Sequence, residues 1–217
     1  PVNQYTQGNS LDSDRDLAFW RPGPMAEEFE FYDVLPTFIN KAKNYIDTQQ
    51  LEENPFFLYL PLPAPHTPWL PTADYNDSAE AGMYGDFVTM VDAQIGKLLD
   101  HLEEKQLADQ TLIVFTSDNG PYWKPRHIEL YQHKAAGNLR GMKGDVYDGG
   151  HRVPFIVKWE NKIKGGRSGS NPNTLANLMA TLADITGAGS SGIDSHSIYD
   201  ELINEDYIPI VKPIVHH

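Results

Sequence analysis

The chain has 217 residues, a formal net charge of -13 and no cysteine. This length is enough for one domain with a substantial core. The acidic balance argues against a nucleic-acid partner, which would normally meet a basic face. No apolar run approaches the roughly 18 residues that cross a bilayer, so we expect no membrane partner. Without cysteine, the chain has no disulfides, no thiolate nucleophile and no zinc site built on sulfur.

The first half of the chain predicts a lead-in, a helix, a strand and a stiff loop. Residues 1–30 are polar and contain Pro-Gly-Pro at 22–24, which predicts irregular structure. From Asp33 to Ile46, apolar residues recur at helical spacing. Phe56 to Leu60 predicts a short apolar strand. The five prolines within 61–71 then predict a stiff loop at the end of that strand.

The second half alternates helices and strands. Helical spacing from Val88 to Leu102 predicts a second helix, and the β-branched run 111–116 predicts a buried strand. Residues 121–150 lack a clear period and contain five glycines, which predicts a long functional loop. A further strand is predicted at 153–159. A third helix is predicted at 175–185, with apolar residues Leu175, Leu178, Met179, Leu182 and Ile185.

This alternation predicts an α/β protein with a mostly parallel sheet flanked by helices. We place the α/β domain at 31–187 and a tail at 188–217. Ligands of such sheets bind beyond the carboxyl ends of the strands. We therefore expect the loop that carries His66 and the loop that carries Asp118 and Asn119 to meet at one edge of the sheet.

Several side chains on these loops are candidates for chemistry. Asp118 and Asn119 offer adjacent oxygen ligands for a hard cation such as calcium or magnesium. The same Asp-Asn-Gly tripeptide is also ordinary turn chemistry, because all three residues tolerate left-handed backbone angles. Trp69, Tyr122 and Trp123 are candidates for stacking on a ring, although aromatic residues beside prolines more often pack in a core.

Three motifs together resemble those of the sulfatases, in particular the arylsulfatase type of the alkaline-phosphatase-like superfamily. They are Ala64–Pro68, Thr116–Gly120, and Leu139–Gly144 followed by Gly149–Pro154. Their order and approximate spacing are similar to the family pattern, and the resemblance runs from about Phe31 to the final residues. It implies an alkaline-phosphatase-like α/β fold, incomplete in this chain.

The resemblance also implies roles for individual residues. Asp118 and Asn119 correspond to calcium ligands. His66 corresponds to a histidine that contacts the sulfate ester and could protonate the departing alcohol oxygen. Lys143 corresponds to a lysine that binds the sulfate oxygens. The implied partner is a sulfate-ester small molecule or a sulfated saccharide, and the implied compartment is periplasmic, secreted or lysosomal.

The chain departs from the family pattern in one large respect. A sulfatase nucleophile is a formylglycine made within a Cys/Ser-x-Pro-x-Arg motif. The only Ser-x-Pro here begins at Ser170 and lacks the arginine. The paired aspartates that supply further metal ligands in the family also have no counterpart.

We therefore expect a fragment of a catalytic domain whose formylglycine lies upstream. Such a chain should be inactive alone, bind calcium weakly and self-associate through an exposed sheet edge. Two alternatives stay open. One is a phosphoester or phosphonate hydrolase of the same superfamily, and the other is a non-catalytic, degenerate paralogue.

Overall fold

The computed structural model describes residues 4–6, 23–52, 54–189, 192–208 and 214. The chain divides into two compact units. The first draws on Pro1–Ala108 and Thr116–Phe155, and the second on Asp109–Phe115 and Ile156–His217. The lead-in predicted for 1–30 and the tail predicted for 188–217 lie partly outside the described residues, and their boundaries remain predictions.

The first unit combines a short strand pair with four helices. Strands β1 and β2 pair antiparallel, with Tyr5 opposite Pro24. The elements are β1 (Gln4–Thr6), β2 (Gly23–Met25), α1 (Val34–Gln49), α2 (Gly82–Glu104), α3 (Pro125–Tyr131) and α4 (Asp148–His151). The helices predicted from Asp33 and from Val88 are thus confirmed, and α2 begins six residues earlier than its apolar spacing suggested.

The core of the first unit lies against α2. Helix α1 buries one stripe, at Leu35, Ile39, Ala42 and Ile46, as expected for an amphipathic helix. The main cluster of buried apolar residues comprises Leu35, Trp69, Phe87, Met90, Val91 and Trp123. Two members of this cluster come from loops rather than helices, so the loops that carry candidate site residues are anchored in the core.

The second unit contains most of a two-stranded sheet and two helices. Strands β3 (Ile113–Thr116) and β4 (Phe155–Lys158) pair, and they correspond to the two strands predicted in this half of the chain. Helices α5 (Asn177–Thr186) and α6 (Tyr199–Ile203) follow. Gly187 ends α5 in the left-handed conformation, with a φ of 70°.

The third predicted helix is confirmed as α5, but its large apolar residues are not the ones it buries. Its buried residues are Ala180, Thr181 and Ala183, whereas Met179 is 55% exposed. Hydrogen bonds explain which face of α5 is buried. Thr181 Oγ1 accepts a hydrogen bond from Ile198 N, and Ser195 Oγ accepts one from Ala180 N, so the following segment covers the small-residue face.

Two further predictions are wrong. Residues 56–60 do not form a strand, since no neighbouring strand among the described residues takes up their backbone groups. The predicted loop 121–150 contains two helices, of which α3 begins with Pro125 at its first position, where a proline costs no hydrogen bond. In the described part of the chain, no helix is long and apolar enough to cross a bilayer.

Candidate active site

The His66 loop is held on both sides of an exposed histidine. Leu62, Ala64 and Trp69 pack into or against the core, while His66 itself is exposed. The ring Nδ1 of His66 lies 2.7 Å from the carbonyl oxygen of Thr67. A carbonyl only accepts, so Nδ1 carries the hydrogen of this bond. The other ring nitrogen, Nε2, is thereby left for a ligand.

The loop after β3 presents an acid and an amide. Asp118 is exposed, and its carboxylate has no hydrogen-bond or ion-pair partner in the part of the chain described. Asn119 Nδ2 donates to the carbonyl oxygen of Gly120 at 3.0 Å, which leaves its Oδ1 unused by that bond. Neither residue, nor Gly120, has a positive φ. A left-handed backbone conformation therefore does not explain the Asp-Asn-Gly sequence at this position.

The third loop holds Lys143 in a tight turn. Gly141 and Gly144, on either side, have φ angles of 86° and 91°, which favour glycine. Met142 N donates to Asp145 Oδ2 at 3.0 Å, and Asp145 N donates back to Met142 O at 2.9 Å. Lys143 is half-buried, and its ammonium has no acidic partner within the described ranges.

These three loops are joined to one another within the first unit. Lys143 N donates to Pro121 O at 2.9 Å, and Gly120 N donates to Gly150 O at 2.9 Å. The Asp118 loop and the Lys143 loop are therefore bonded directly at two places. The His66 loop joins them through Trp69, whose ring centroid lies 6.2 Å from that of Trp123. Two backbone hydrogen bonds and one aromatic contact thus connect the three loops that carry the candidate residues.

Glycine is required where the Asp118 and Lys143 loops touch. A Cβ on Gly120 would collide with the carbonyl oxygen of Gly149 and lie 3.1 Å from the carbonyl carbon of Gly150. A Cβ on Gly150 would lie 2.7 Å from Met142 O. Since the obstacles are backbone atoms, they cannot turn aside as a side chain can. Close approach of two loops, rather than backbone angle, explains these glycines.

The residues present fit part of a cation site. A carboxylate and an amide oxygen have the donor chemistry that calcium prefers. The described residues contain no group of three or more His, Cys, Asp or Glu side chains arranged to hold a metal. Two protein oxygens fall short of the six to eight that calcium normally takes. Asp118 and Asn119 therefore offer the right type of ligand for calcium, but too few ligands for a complete site.

Other residues on these loops have structural tasks. The Arg140 guanidinium lies 3.6 Å from the centroid of the Tyr147 ring and braces the Lys143 loop. Trp69 and Trp123 are buried core residues, so of the three stacking candidates only Tyr122 is exposed. Sequence reasoning missed Asp145, which closes the turn around Lys143. The signal for it was an aspartate directly after a glycine, a common pattern of side chain–backbone turns.

Three joined loops of an α/β protein thus carry an exposed imidazole, an acid–amide pair and an ammonium that has no acidic partner among the described residues. The family model for sulfatases matches residues 27–188. The chain belongs to the sulfatase family.

Curated relatives agree with this assignment. The chain is 32% identical over 196 residues to an N-acetylgalactosamine-6-O-sulfatase of Bacteroides thetaiotaomicron, covering 87% of this chain and 38% of the relative. It is 28% identical over 190 residues to an arylsulfatase of Hemicentrotus pulcherrimus, covering 87% and 32%. The chain thus spans about a third of the length of these relatives.

Solved structures confirm the fold class. A structure from work on the metabolism of multiple glycosaminoglycans by Bacteroides thetaiotaomicron superposes with a TM-score of 0.78 at 30% identity, covering 87% of this chain and 40% of that one. Ps i-CgsB in complex with k-i-k-neocarrahexaose gives 0.70 at 28% identity, covering 83% and 40%. The predicted alkaline-phosphatase-like, sulfatase-type α/β fold is therefore confirmed. This chain corresponds to about 40% of each of these two solved chains.

Proposed function

We propose that the protein containing this chain hydrolyses sulfate esters. The observation that carries the proposal is Lys143. It is a half-buried cation without an acidic partner among the described residues, in a chain of net charge -13, on a loop bonded to the Asp118 loop. A half-buried ammonium without an acidic partner among the described residues suits an anionic ligand better than a structural role.

In this proposal, Lys143 binds the sulfate oxygens. The S–O bond to the leaving alcohol breaks with its electron pair on the alcohol oxygen, and the ammonium stabilises negative charge on the remaining oxygens. Its turn is closed by Asp145 and held by Pro121 O, so the backbone that carries the ammonium is fixed before the ligand arrives. Such preorganised charge is worth about 100- to 1000-fold in rate.

His66 is proposed to protonate the leaving oxygen. With Nδ1–H held by the Thr67 carbonyl, a proton on Nε2 is the one that points to a ligand. As the S–O bond breaks, this proton neutralises the alkoxide that would otherwise depart.

Asp118 and Asn119 are proposed to hold a calcium ion, through a carboxylate oxygen and the amide Oδ1. When bound, the ion supplies positive charge beside the sulfate. The two donors are too few for a tight site, so we expect weak binding by this chain alone. Titration of the 217-residue chain with calcium, compared with Asp118→Asn, tests the assignment by calorimetry without any assay of activity.

The nucleophile is not assigned to any residue of this chain, which has no cysteine and no Ser-x-Pro-x-Arg motif. We propose that a formylglycine supplied from outside the 217 residues does this work. The isolated chain is then without meaningful turnover. A sulfatase rate well above background in the pure 217-residue chain would overturn that statement.

The substrate is proposed to be a sulfated saccharide. Support comes from relatives, since one is named an N-acetylgalactosamine-6-O-sulfatase and one related structure is a complex with k-i-k-neocarrahexaose. The exposed positions of His66 and Asp118 also suit a bulky ligand that reaches the loops from solvent.

The decisive experiment uses the enzyme that contains this chain and two leaving groups. Lys143→Ala is expected to lower kcat/KM about 100- to 1000-fold for every sulfate ester. His66→Ala is expected to lower it about 100- to 10,000-fold for a sugar sulfate and far less for 4-nitrophenyl sulfate, whose leaving group needs no proton. Lys97→Ala, at an exposed position on α2, is the matched control.

Equal losses for both leaving groups in His66→Ala would remove the general-acid role. Unchanged activity in Lys143→Ala would remove the sulfate-binding role. Parallel assays with phosphate esters address the alternative chemistry of the superfamily. A preference for phosphate over sulfate would replace the proposal by a phosphoester hydrolase.

A further inference from the structure

A cleft lies beside the Lys143 loop, on the first unit. Its volume is about 410 Å³, within the range of small-ligand pockets. It runs between the start of α3 and the segment 134–142. Most of its lining is apolar and includes Trp123, Pro125, Ile128, Leu139 and Met142, while Lys134 adds a positive charge.

The walls of the cleft continue the loops of the candidate site. Trp123 follows Asn119 by four residues, and Met142 directly precedes Lys143. The cleft is therefore formed by segments that directly continue the Asp118 and Lys143 loops. The assigned candidate residues His66, Asp118 and Lys143 do not line it.

The cleft is built from fixed parts. Trp123 Nε1 donates to His133 O at 2.8 Å, and its ring packs at 4.6 Å from Tyr84 and 4.8 Å from His127, measured between centroids. Met142 and Asp145 are joined by two hydrogen bonds, in which each backbone N–H donates to the other residue. The two opposite walls thus keep their positions without a ligand, as preformed binding sites do.

The cleft has one cation that a ligand can reach from solvent. Lys134 is exposed and has no ion-pair partner among the residues that the structure describes. Asp145, the acidic residue of the lining, accepts a hydrogen bond from Met142 N and keeps its negative charge. The cleft therefore offers a mostly apolar surface with an exposed ammonium that no described acid pairs with.

We propose that this cleft binds the sugar next to the sulfated one in an acidic oligosaccharide. The apolar C–H face of that sugar packs on Leu139 and Ile128, and its carboxylate or second sulfate meets Lys134. A sugar ring with one acidic group matches a lining that is mostly apolar with one free ammonium. This inference rests on the proposed function, because the sulfate at Lys143 places the neighbouring sugar here.

The test compares short and long substrates of the enzyme that contains this chain. A panel of sulfated hexoses is assayed alone and as disaccharides whose second sugar carries a carboxylate. Lys134→Ala is expected to raise KM for the disaccharides about tenfold, as loss of one charge-assisted contact would. KM for the single sugars and kcat for both should stay unchanged. Lys97→Ala is the control.

A second variant addresses the shape of the cleft. Ala136→Trp adds bulk to the lining, since Ala136 is part of it. It should remove the preference for disaccharides and spare the single sugars. Equal kinetics of single sugars and disaccharides in the unaltered enzyme would overturn the inference. The inference would also be overturned if Ala136→Trp raised the KM for 4-nitrophenyl sulfate as much as the KM for disaccharides. The cleft would then bind aryl groups.

Binding to the 217-residue chain separates this inference from the proposed function. The same disaccharides are titrated into the chain and followed by NMR, with Lys134→Ala beside it. If the enzyme hydrolyses no sulfate ester but the disaccharides bind and Lys134→Ala weakens them about tenfold, the cleft stands and the sulfatase proposal falls. If the enzyme is a sulfatase and no disaccharide binds through Lys134, the cleft assignment falls alone.

Discussion

Gly120 shows how a single residue holds this candidate site together. Its N–H donates to Gly150 O, and the missing side chain lets the Asp118 loop approach the carbonyl oxygen of Gly149. The Asp-Asn-Gly sequence indicates a turn, and the glycine is indeed needed. The physical need, however, comes from a second loop 30 residues away in the chain, which sequence reasoning alone does not reveal.

Gly120→Ala is therefore expected to destabilise the first unit by about 1–3 kcal/mol, because the added Cβ forces the two loops apart. Calcium binding and any sulfate contact that depends on Lys143 should weaken with it. Urea unfolding measures the first effect, and calorimetry with calcium measures the second.

Gly96→Ala on α2 is the matched control. A Cβ at Gly96 meets nothing within 4 Å, so alanine should stabilise the helix by about 0.5–1 kcal/mol. If Gly120→Ala is as stable as Gly96→Ala, the close approach of the loops does not exist in solution.

At the scale of elements, a polar clamp joins α1 to α2. His101 Nε2 lies 2.9 Å from Asp47 Oδ1, and Lys105 Nζ lies 2.7 Å from the same oxygen. His101 is buried, and its Nδ1 is 3.8 Å from Glu104 Oε2. The hydrogen bond from the Lys105 ammonium, assisted by His101, holds the pKa of Asp47 below its ordinary value.

This clamp predicts a defined dependence of stability on pH. A carboxyl with a lowered pKa in the folded state contributes stability above its unfolded pKa of about 3.9, and loses it as the pH falls through the folded value. Asp47→Asn should therefore unfold at lower urea concentration than the unaltered chain near pH 7. The difference should shrink as the pH falls below about 4.

Asp92→Asn, an exposed acid on α2 with no partner among the described residues, is the control for net charge and should show no such difference. A gap between the unaltered chain and Asp47→Asn that stays constant from neutral pH to about pH 2 would contradict the clamp.

At the scale of the whole molecule, apolar side chains are left exposed on the segment 56–60. Phe57 is 69% exposed and Tyr59 is 76% exposed. The segment alternates exposed and half-buried residues, as a strand does, yet it belongs to neither sheet of the described residues. Unpaired extended backbone with apolar side chains is a template for pairing with another chain.

We predict that the 217-residue chain self-associates through this segment. Sedimentation velocity should show a weight-average mass that rises with concentration. The double change Phe57→Glu and Tyr59→Glu should restore the monomer, because charge on an exposed edge opposes pairing.

Leu51→Glu controls for the loss of an exposed apolar side chain, since Leu51 is 85% exposed and lies outside the segment. It should associate as the unaltered chain does. A monomer at every concentration of the unaltered chain would refute the prediction.

Helices α1, α2 and α5 could be predicted from the sequence because each has its own apolar period, whereas the shorter α3, α4 and α6 were not predicted. Apolar residues at α1 and α2 recur every three or four positions over many residues, and that pattern requires no knowledge of a partner. The buried face of α5 could not be predicted. Its small residues are covered by a later segment, in which Ser195 Oγ accepts a hydrogen bond from Ala180 N and Ile198 N donates one to Thr181 Oγ1.

By itself, the sequence determined the family and helices α1, α2 and α5, and it supplied the candidate residues His66, Asp118, Asn119 and Lys143, because these depend on local patterns and on motif order. Tertiary structure decided which loops touch, that Asp145 closes the lysine turn, and that Trp123 is part of the core. These outcomes depend on contacts between segments far apart in the chain, whose free energy no local pattern records.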